Sequence, residues 1–223
     1  MKPALYPIPI LIITAFFLIR AEMLKKRQQI YILKPISTLL VIAVASLSFL
    51  EPAQNRTYAT IILMGLLLCF GGDMALMFQE NRKAFIVGLV LFLLGHIAYT
   101  VAFALLGRSS AWDILSALVL LAMGIGFYNL LKPNLGTMRI PVIAYLIVIS
   151  VMVNRAVSTL ASPLFGGGQA IMVVTGAVLF YISDVILAAA RFWKPWKYHR
   201  ISLAFYYSGQ LLIALAASYF CTS

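Results

Sequence analysis

Apolar runs of about 20 residues recur along this chain, and the run from Gln169 to Phe192 contains an aspartate, Asp184, well inside it. A run of that length can cross the hydrocarbon core of a membrane as one helix. An ionised aspartate near the middle of such a helix costs about 2.5–3.5 kcal/mol, and such residues usually face a polar interior. A second run, Tyr58 to Phe78, contains Asp73 at the same distance from its start, 15 residues. The two matched acids predict one buried polar site.

The composition agrees with a chain that lies mostly in lipid. Hydrophobic residues make up 63% and charged residues 10% of 223 residues, which leaves too little polar surface for a soluble globule. Eight apolar runs of helix length predict an all-α, polytopic membrane helix bundle, whereas barrel strands would be shorter and would alternate in polarity. The predicted spans are 4–19, 31–50, 58–78, 84–106, 112–131, 139–160, 169–192 and 201–220, with Pro35, Pro52 and Pro133 at their ends. No connector is long enough to divide the chain, so we expect a single integral membrane domain, 1–223.

The net charge of +11 does not indicate a nucleic-acid partner, because the basic residues lie in short connectors. The connectors after spans one, three, five and seven contain twelve lysines and arginines, and the opposite side contains Lys2, Arg56 and Arg108. Since basic loops stay in the cytoplasm, both termini are predicted to lie outside it, in the inner membrane if the protein is bacterial. The two cysteines, Cys69 and Cys221, form neither a disulfide framework nor a CxxC metal motif, and no cofactor is expected.

Similar motifs recur in the two halves of the chain. Three pairs of segments correspond, at offsets of 111, 114 and 106 residues: LCFGGDMALM with LFYISDVILA, FLLGH with YYSGQ, and Lys34-Pro35 with Ile140-Pro141. Four spans return the chain to its starting side, so this pattern predicts two parallel four-helix repeats, 1–110 and 111–223.

Five polar residues lie inside the predicted spans in the cytoplasmic half, where one pocket could collect them: Lys34, Asp73, His96, Asp184 and Gln210. Tyrosines at helical spacing share a face with three of them: Tyr99 with His96, Tyr181 with Asp184, and Tyr206 and Tyr207 with Gln210. These phenols are candidates for orienting catalytic groups or a substrate head group. Each polar residue also has a structural interpretation, since an aspartate can pair with Lys34 and the others can form hydrogen bonds between helices.

Five segments, taken together and in order, resemble the YhhN-type lysoplasmalogenase family: KPISTLL at Lys34, FGGDMALM at Asp73, GLVLFLLGHIAY at His96, GAVLFYISDVILAAARF at Asp184 and YYSGQLLIA at Gln210. The resemblance covers nearly the whole chain and includes the plan of eight spans. It implies a membrane hydrolase that cleaves the vinyl ether bond of lysoplasmalogens, giving a fatty aldehyde and glycerophosphoethanolamine or glycerophosphocholine. The acidic positions of the family fall on Asp73 and Asp184.

Vinyl ethers hydrolyse through protonation at carbon, an oxocarbenium ion and addition of water, which requires an acid and a base. Two carboxyls in one low-dielectric pocket can supply both, one protonated and one ionised, in either assignment. His96 can assist either aspartate, and Lys34 or the tyrosines can meet the substrate phosphate. Two other classes remain open. Asp73, Asp184 and His96 could hold a metal that activates water, or the buried carboxylates could serve a proton-coupled transporter or lipid-binding protein. The oligomeric state is left open.

Overall fold

The computed structural model describes residues 2–51, 55–194, 196 and 199–220, and these residues form eight long helices and no strand. The helices are α1 (Ile8–Met23), α2 (Arg27–Leu47), α3 (Arg56–Leu76), α4 (Arg82–Leu106), α5 (Ala111–Leu131), α6 (Arg139–Val157), α7 (Gly167–Phe192) and α8 (Ser202–Ala216). With the short 3-10 turns that extend some of them, all eight are long and apolar enough to cross a membrane. This confirms the predicted all-α class and its eight spans.

The first helix begins and ends about four residues later than predicted. Pro7 precedes its first residue and Pro9 lies in its first turn, where proline is favoured because the missing N–H needs no partner. The helix then continues through Arg20 and Glu22 to Met23. The apolar run ends at Ile19, but a helix can continue past that point if its charged side chains reach polar surroundings. Glu22 therefore lies on α1 and not in the connector that follows it.

Pro35 does not end a span, and this prediction was wrong. It lies inside α2, two turns after Arg27. Proline there removes the hydrogen bond to the carbonyl of Tyr31, four residues earlier. Membrane helices tolerate this loss because neighbouring groups satisfy the freed carbonyl. Pro133 lies in the 3-10 turn after α5, as expected, whereas Pro52 and Cys221 fall outside the described residues.

Two helix pairs, α3 with α4 and α7 with α8, pack most closely. Glycines allow this approach: a Cβ on Gly95 would lie 3.2 Å from the Gly65 carbonyl oxygen, and a Cβ on Gly209 would lie 2.7 Å from that of Gly176. Gly65 and Gly176 are 111 residues apart and Gly95 and Gly209 are 114 apart, the same offsets as the repeated motifs. Two parallel repeats would have such matched contacts, and the repeats and their boundary at residue 110 both stay predictions.

The connectors after α1, α3, α5 and α7 meet at one end of the bundle, which we call the basic end. Three contacts join them: Arg27 with Glu80, Arg82 with Thr137, and Arg200 with Glu22. At the opposite end of the bundle, the Lys2 ammonium contacts the Ser218 carbonyl. The basic end therefore contains most of the charge of the molecule.

Candidate active site

A cavity of about 1250 Å³, including its open mouth, lies between the helices at the basic end. Each of the eight helices contributes to its wall, and both Asp73 and Asp184 line it. Much of the rest of the wall is apolar, with Leu89, Phe127 and Ile149 among its side chains. A mostly apolar wall with a few polar groups on it is the usual lining of a ligand pocket, so this cavity is the candidate site for an apolar ligand that meets two carboxyls.

Asp73 is surrounded by a cation and hydroxyl donors. Lys34 Nζ lies 3.2 Å from its Oδ1, and its Oδ2 accepts hydrogen bonds from Thr38 Oγ1 at 2.8 Å and from the Tyr206 hydroxyl at 2.7 Å. The Tyr207 hydroxyl lies 3.2 Å from Thr38 Oγ1 and so contacts Asp73 only indirectly. A carboxyl that pairs with a cation and accepts two hydrogen bonds is in the environment of an ionised carboxylate.

Asp184 has a different environment, shared with His96. Its Oδ2 accepts a hydrogen bond from the Tyr145 hydroxyl at 2.6 Å and lies 3.6 Å from His96 Nε2. His96 Nδ1 lies 2.7 Å from the Phe92 carbonyl oxygen, and because a carbonyl only accepts, we assign the proton to Nδ1. His96 Nε2 is buried and has no hydrogen-bond partner among the described residues. Without a further proton, Asp184 Oδ2 and His96 Nε2 are both acceptors. A proton on either of them would make the contact between the two side chains attractive.

The two carboxyls also differ in access. The side chain of Asp184 is 14% exposed, whereas that of Asp73 is 3% exposed and that of its partner Lys34 is 9% exposed. Both aspartates border the cavity, and Asp184 is the more exposed of the two. The site thus offers a more exposed carboxyl beside a histidine and a tyrosine hydroxyl, and a recessed carboxyl that is paired with a cation.

The predicted residues fall into two groups, those that line the cavity or lie next to its two carboxyl clusters and those that do neither. Five of them line the cavity: Lys34, Asp73, Asp184, Tyr181 and Tyr206. Two more lie next to the clusters, His96 in contact with Asp184 and Tyr207 beside Thr38. Tyr99 and Gln210 do not line it: the Tyr99 hydroxyl donates to Gln210 Oε1 at 2.6 Å. Of the five polar residues expected in one pocket, Gln210 is therefore the one that neither lines the cavity nor contacts an aspartate that does.

Five residues at the site were not predicted from the sequence to belong to it. Thr38 follows Lys34 by four positions, so helical spacing could have identified it. Tyr145 has only apolar residues three and four positions away and gave no local signal. Glu22, Arg191 and Arg200 also line the cavity, although in the sequence the two arginines served only to predict orientation.

The site does not assemble the ligands that a metal would need. Within the described ranges, no group of three or more His, Cys, Asp or Glu side chains could hold a metal ion. Asp184 and His96 are neighbours, but the contacts of Asp73 are with Lys34, Thr38 and Tyr206. The donor set expected for a metal-activated water is therefore incomplete in this arrangement.

Comparison with known proteins identifies the family. The profile described as the YhhN family matches residues 29–217. Lysoplasmalogenase TMEM86A of Bos taurus is 32% identical over 164 residues, which are 71% of this chain and 65% of that protein. Lysoplasmalogenase TMEM86B of Homo sapiens is 33% identical over 160 residues, 71% of this chain and 64% of that protein.

This chain spans slightly less than two thirds of the length of those relatives. No solved structure is significantly similar to it. The matched range contains Lys34, Asp73, His96 and Asp184, all the predicted residues around the two carboxyl clusters. The chain therefore belongs to the YhhN family.

Proposed function

We propose that this protein is a membrane hydrolase that cleaves the vinyl ether bond of lysoplasmalogens, releasing a fatty aldehyde and glycerophosphoethanolamine or glycerophosphocholine. The relatives named lysoplasmalogenases support the substrate class. The main structural support is one cavity with two carboxyls in unlike environments, one beside a histidine and one paired with a lysine. Such a difference is how two chemically identical groups serve as acid and base.

Asp184, with His96 behind it, is the proposed acid. Its proton goes to the second carbon of the alkenyl chain, and the double-bond electrons that form this C–H bond leave an oxocarbenium ion at the first carbon. Asp184 suits this step because it is the more exposed carboxyl. The Tyr145 hydroxyl already donates to Oδ2, so it can stabilise the carboxylate as the proton leaves.

Asp73 is the proposed anionic partner and base. Its charge stabilises the oxocarbenium ion, and it takes a proton from the water that attacks the first carbon. The resulting hemiacetal then breaks its bond to the glycerol oxygen, which receives that proton from Asp73. The hemiacetal hydroxyl returns a proton to Asp184 as the aldehyde forms. One water is consumed and both carboxyls regain their starting states.

The same proposal includes an orientation. The twelve lysines and arginines in the connectors of the basic end support a cytoplasmic location for that end and for the mouth of the cavity. Lys2 and Ser218, which are in contact at the opposite end, would then lie outside the cytoplasm, as would both termini. A lysolipid in the cytoplasmic leaflet would thus lie at the same depth in the membrane as the cavity.

The decisive assay measures aldehyde release by the purified protein in detergent micelles, where no gradient exists. The substrates are vinyl ether, alkyl ether and acyl lysophospholipids with the same head group. We expect aldehyde from the vinyl ether lipid alone, because only that bond can be protonated at carbon to give an oxocarbenium ion. A folded, monodisperse protein that releases no aldehyde would contradict the proposal and favour a transporter or lipid-binding protein.

The two aspartates are tested by Asp73→Asn and Asp184→Asn in that assay. Loss of a positioned acid or base lowers the rate by about 10²–10⁴-fold, and we expect at least such a loss in kcat from each change. Glu80→Gln is the matched control, since Glu80 is a largely exposed acid whose contact is with Arg27. Activity near that of the wild type in either aspartate variant would remove that residue from the chemistry.

A further inference from the structure

Three charged side chains line the cavity and have no part in the proposed chemistry. Six of its described lining residues are charged, and three of them, Lys34, Asp73 and Asp184, belong to the two carboxyl clusters. The others are Glu22 in the last turn of α1, Arg191 in the last turn of α7, and Arg200 just before α8. All three lie where helices end at the basic end. The cavity therefore has a charged mouth in front of a largely apolar interior.

Arg200 and Glu22 form an ion pair at this mouth. Arg200 Nε lies 3.3 Å from Glu22 Oε2, and the two side chains are 25% and 11% exposed. This contact uses one nitrogen of the guanidinium, so with respect to the described residues the N–H groups of its two terminal nitrogens are available to an anion. Glu22 likewise keeps acceptor capacity on its second oxygen for a cation. The pair thus presents a positive and a negative group side by side.

Arg191 contributes a second guanidinium. Its central carbon lies 4.8 Å from the centre of the Phe85 ring, and Phe85 also lines the cavity. Stacking on an aromatic face holds a guanidinium in place while its N–H groups point outward in its own plane. Guanidinium groups arranged in this way suit a phosphate, which accepts two parallel hydrogen bonds from one arginine.

The depth of the carboxyls agrees with a phosphate at the mouth. Asp184 precedes Arg191 by seven residues in α7, which is about 10 Å along the helix. In a lysoplasmalogen, only the glycerol carbons separate the phosphate from the vinyl ether. A phosphate held by Arg191 would therefore bring that bond toward Asp184. The alkenyl chain would continue into the apolar part of the cavity beside Leu146 and Ile149.

From these contacts we infer that the mouth of the cavity recognises a zwitterionic lysophospholipid head group, with Arg191 and Arg200 binding the phosphate and Glu22 binding the ammonium group. This inference rests on the proposed function and specifies the head group that the same cavity accepts. It assigns the phosphate to arginines at the membrane boundary, and Lys34 remains the partner of Asp73.

The test is equilibrium binding of an alkyl ether lysophosphoethanolamine to the purified protein in lipid nanodiscs. This ligand has no vinyl ether, so it binds without being hydrolysed and the result does not depend on turnover. Arg191→Gln and Arg200→Gln are each expected to weaken its binding by about 10-fold or more, the usual effect of losing one charge-assisted hydrogen bond. Binding of the alkylglycerol, which lacks the phosphate, should stay unchanged. Arg27→Gln is the matched control, an exposed arginine at the same end whose contact is with Glu80.

Glu22→Gln separates the ammonium from the phosphate. We expect it to weaken binding of the ethanolamine lipid by about 5- to 10-fold and to leave binding of the alkyl ether lysophosphatidate, which has no ammonium group, equal or tighter. The inference is overturned if both arginine variants bind the ethanolamine lipid like the wild type, or if the alkylglycerol loses affinity equally. Inorganic phosphate that binds as tightly as the lysolipid would also overturn it, by indicating a site for free anions. If the wild type proves to hydrolyse no vinyl ether, the same binding losses still support head-group recognition.

Discussion

Replacing Lys34 with methionine is expected to destabilise the fold, because it leaves Asp73 as an unpaired charge inside the bundle. The two side chains are 9% and 3% exposed and their charged atoms lie 3.2 Å apart. Removal of one partner from a buried ion pair costs about 3–5 kcal/mol. Asp73→Asn is expected to cost a similar amount, since it leaves the ammonium of Lys34 unpaired. Its amide oxygen can still accept the hydrogen bonds from Thr38 and Tyr206.

The double variant Lys34→Met with Asp73→Asn removes both charges. Since replacing a whole buried pair by uncharged groups is often close to neutral, most of the stability should return, which gives a coupling energy of at least about 3 kcal/mol. Its activity should nevertheless stay as low as that of Asp73→Asn alone. A stable but inactive double variant would separate the structural role of Asp73 from its proposed chemical role.

The assay is reversible unfolding of the four proteins in mixed micelles, followed by the same turnover measurement. Wild type, the two single variants and the double variant complete one thermodynamic cycle. If the loss in the double variant equals the sum of the single losses within about 0.5 kcal/mol, Lys34 and Asp73 do not act as a unit, and the reasoning from their contact is wrong.

Three further predictions concern the ion requirement, the helix crossings and the topology. The purified enzyme should resist strong chelators and show a pH–rate profile with two carboxyl-type limbs, because an acid/base pair works only with one member protonated and the other ionised. Stoichiometric metal that tracks activity and is released by His96→Ala would overturn this. Gly209→Val should cost more than about 1–3 kcal/mol of stability, because a Cβ there meets backbone, whereas Gly126→Val, with nothing within 4 Å, should be nearly neutral. A reporter fused to the C-terminus should lie outside the cytoplasm, and one inserted after Lys197, outside the described residues, should lie inside; a cytoplasmic C-terminal reporter would reverse the orientation.

The spans could be predicted from the sequence because the length of an apolar run is a local property, and the run around Asp184 shows both its length and its buried acid directly. The partners of the carboxyls depend on which helices pack together, which no local pattern records. Thr38 could have been identified from its helical spacing with Lys34. Tyr145 could not, because the aspartate that it contacts is 39 residues away and the residues three and four positions from Tyr145 are all apolar. Glu22 was missed for a different reason, since the helix extends beyond its apolar run.

The matched glycine crossings of α3 with α4 and α7 with α8 have an evolutionary consequence. In the predicted halves, each aspartate contacts one residue on the second helix of its own half and one on the fourth helix of the other half. Asp73 contacts Lys34 on α2 and Tyr206 on α8. Asp184 contacts Tyr145 on α6 and His96 on α4. If the halves arose by gene duplication, their ancestor could complete neither cluster alone and must have worked as a symmetric homodimer with two equivalent sites. The position that matches Lys34 is now Ile140, and the one that matches His96 is Gln210. Under such a duplication, fusion into one chain would have allowed the two carboxyl sites to diverge, so that Asp73 has Lys34 beside it and Asp184 has His96.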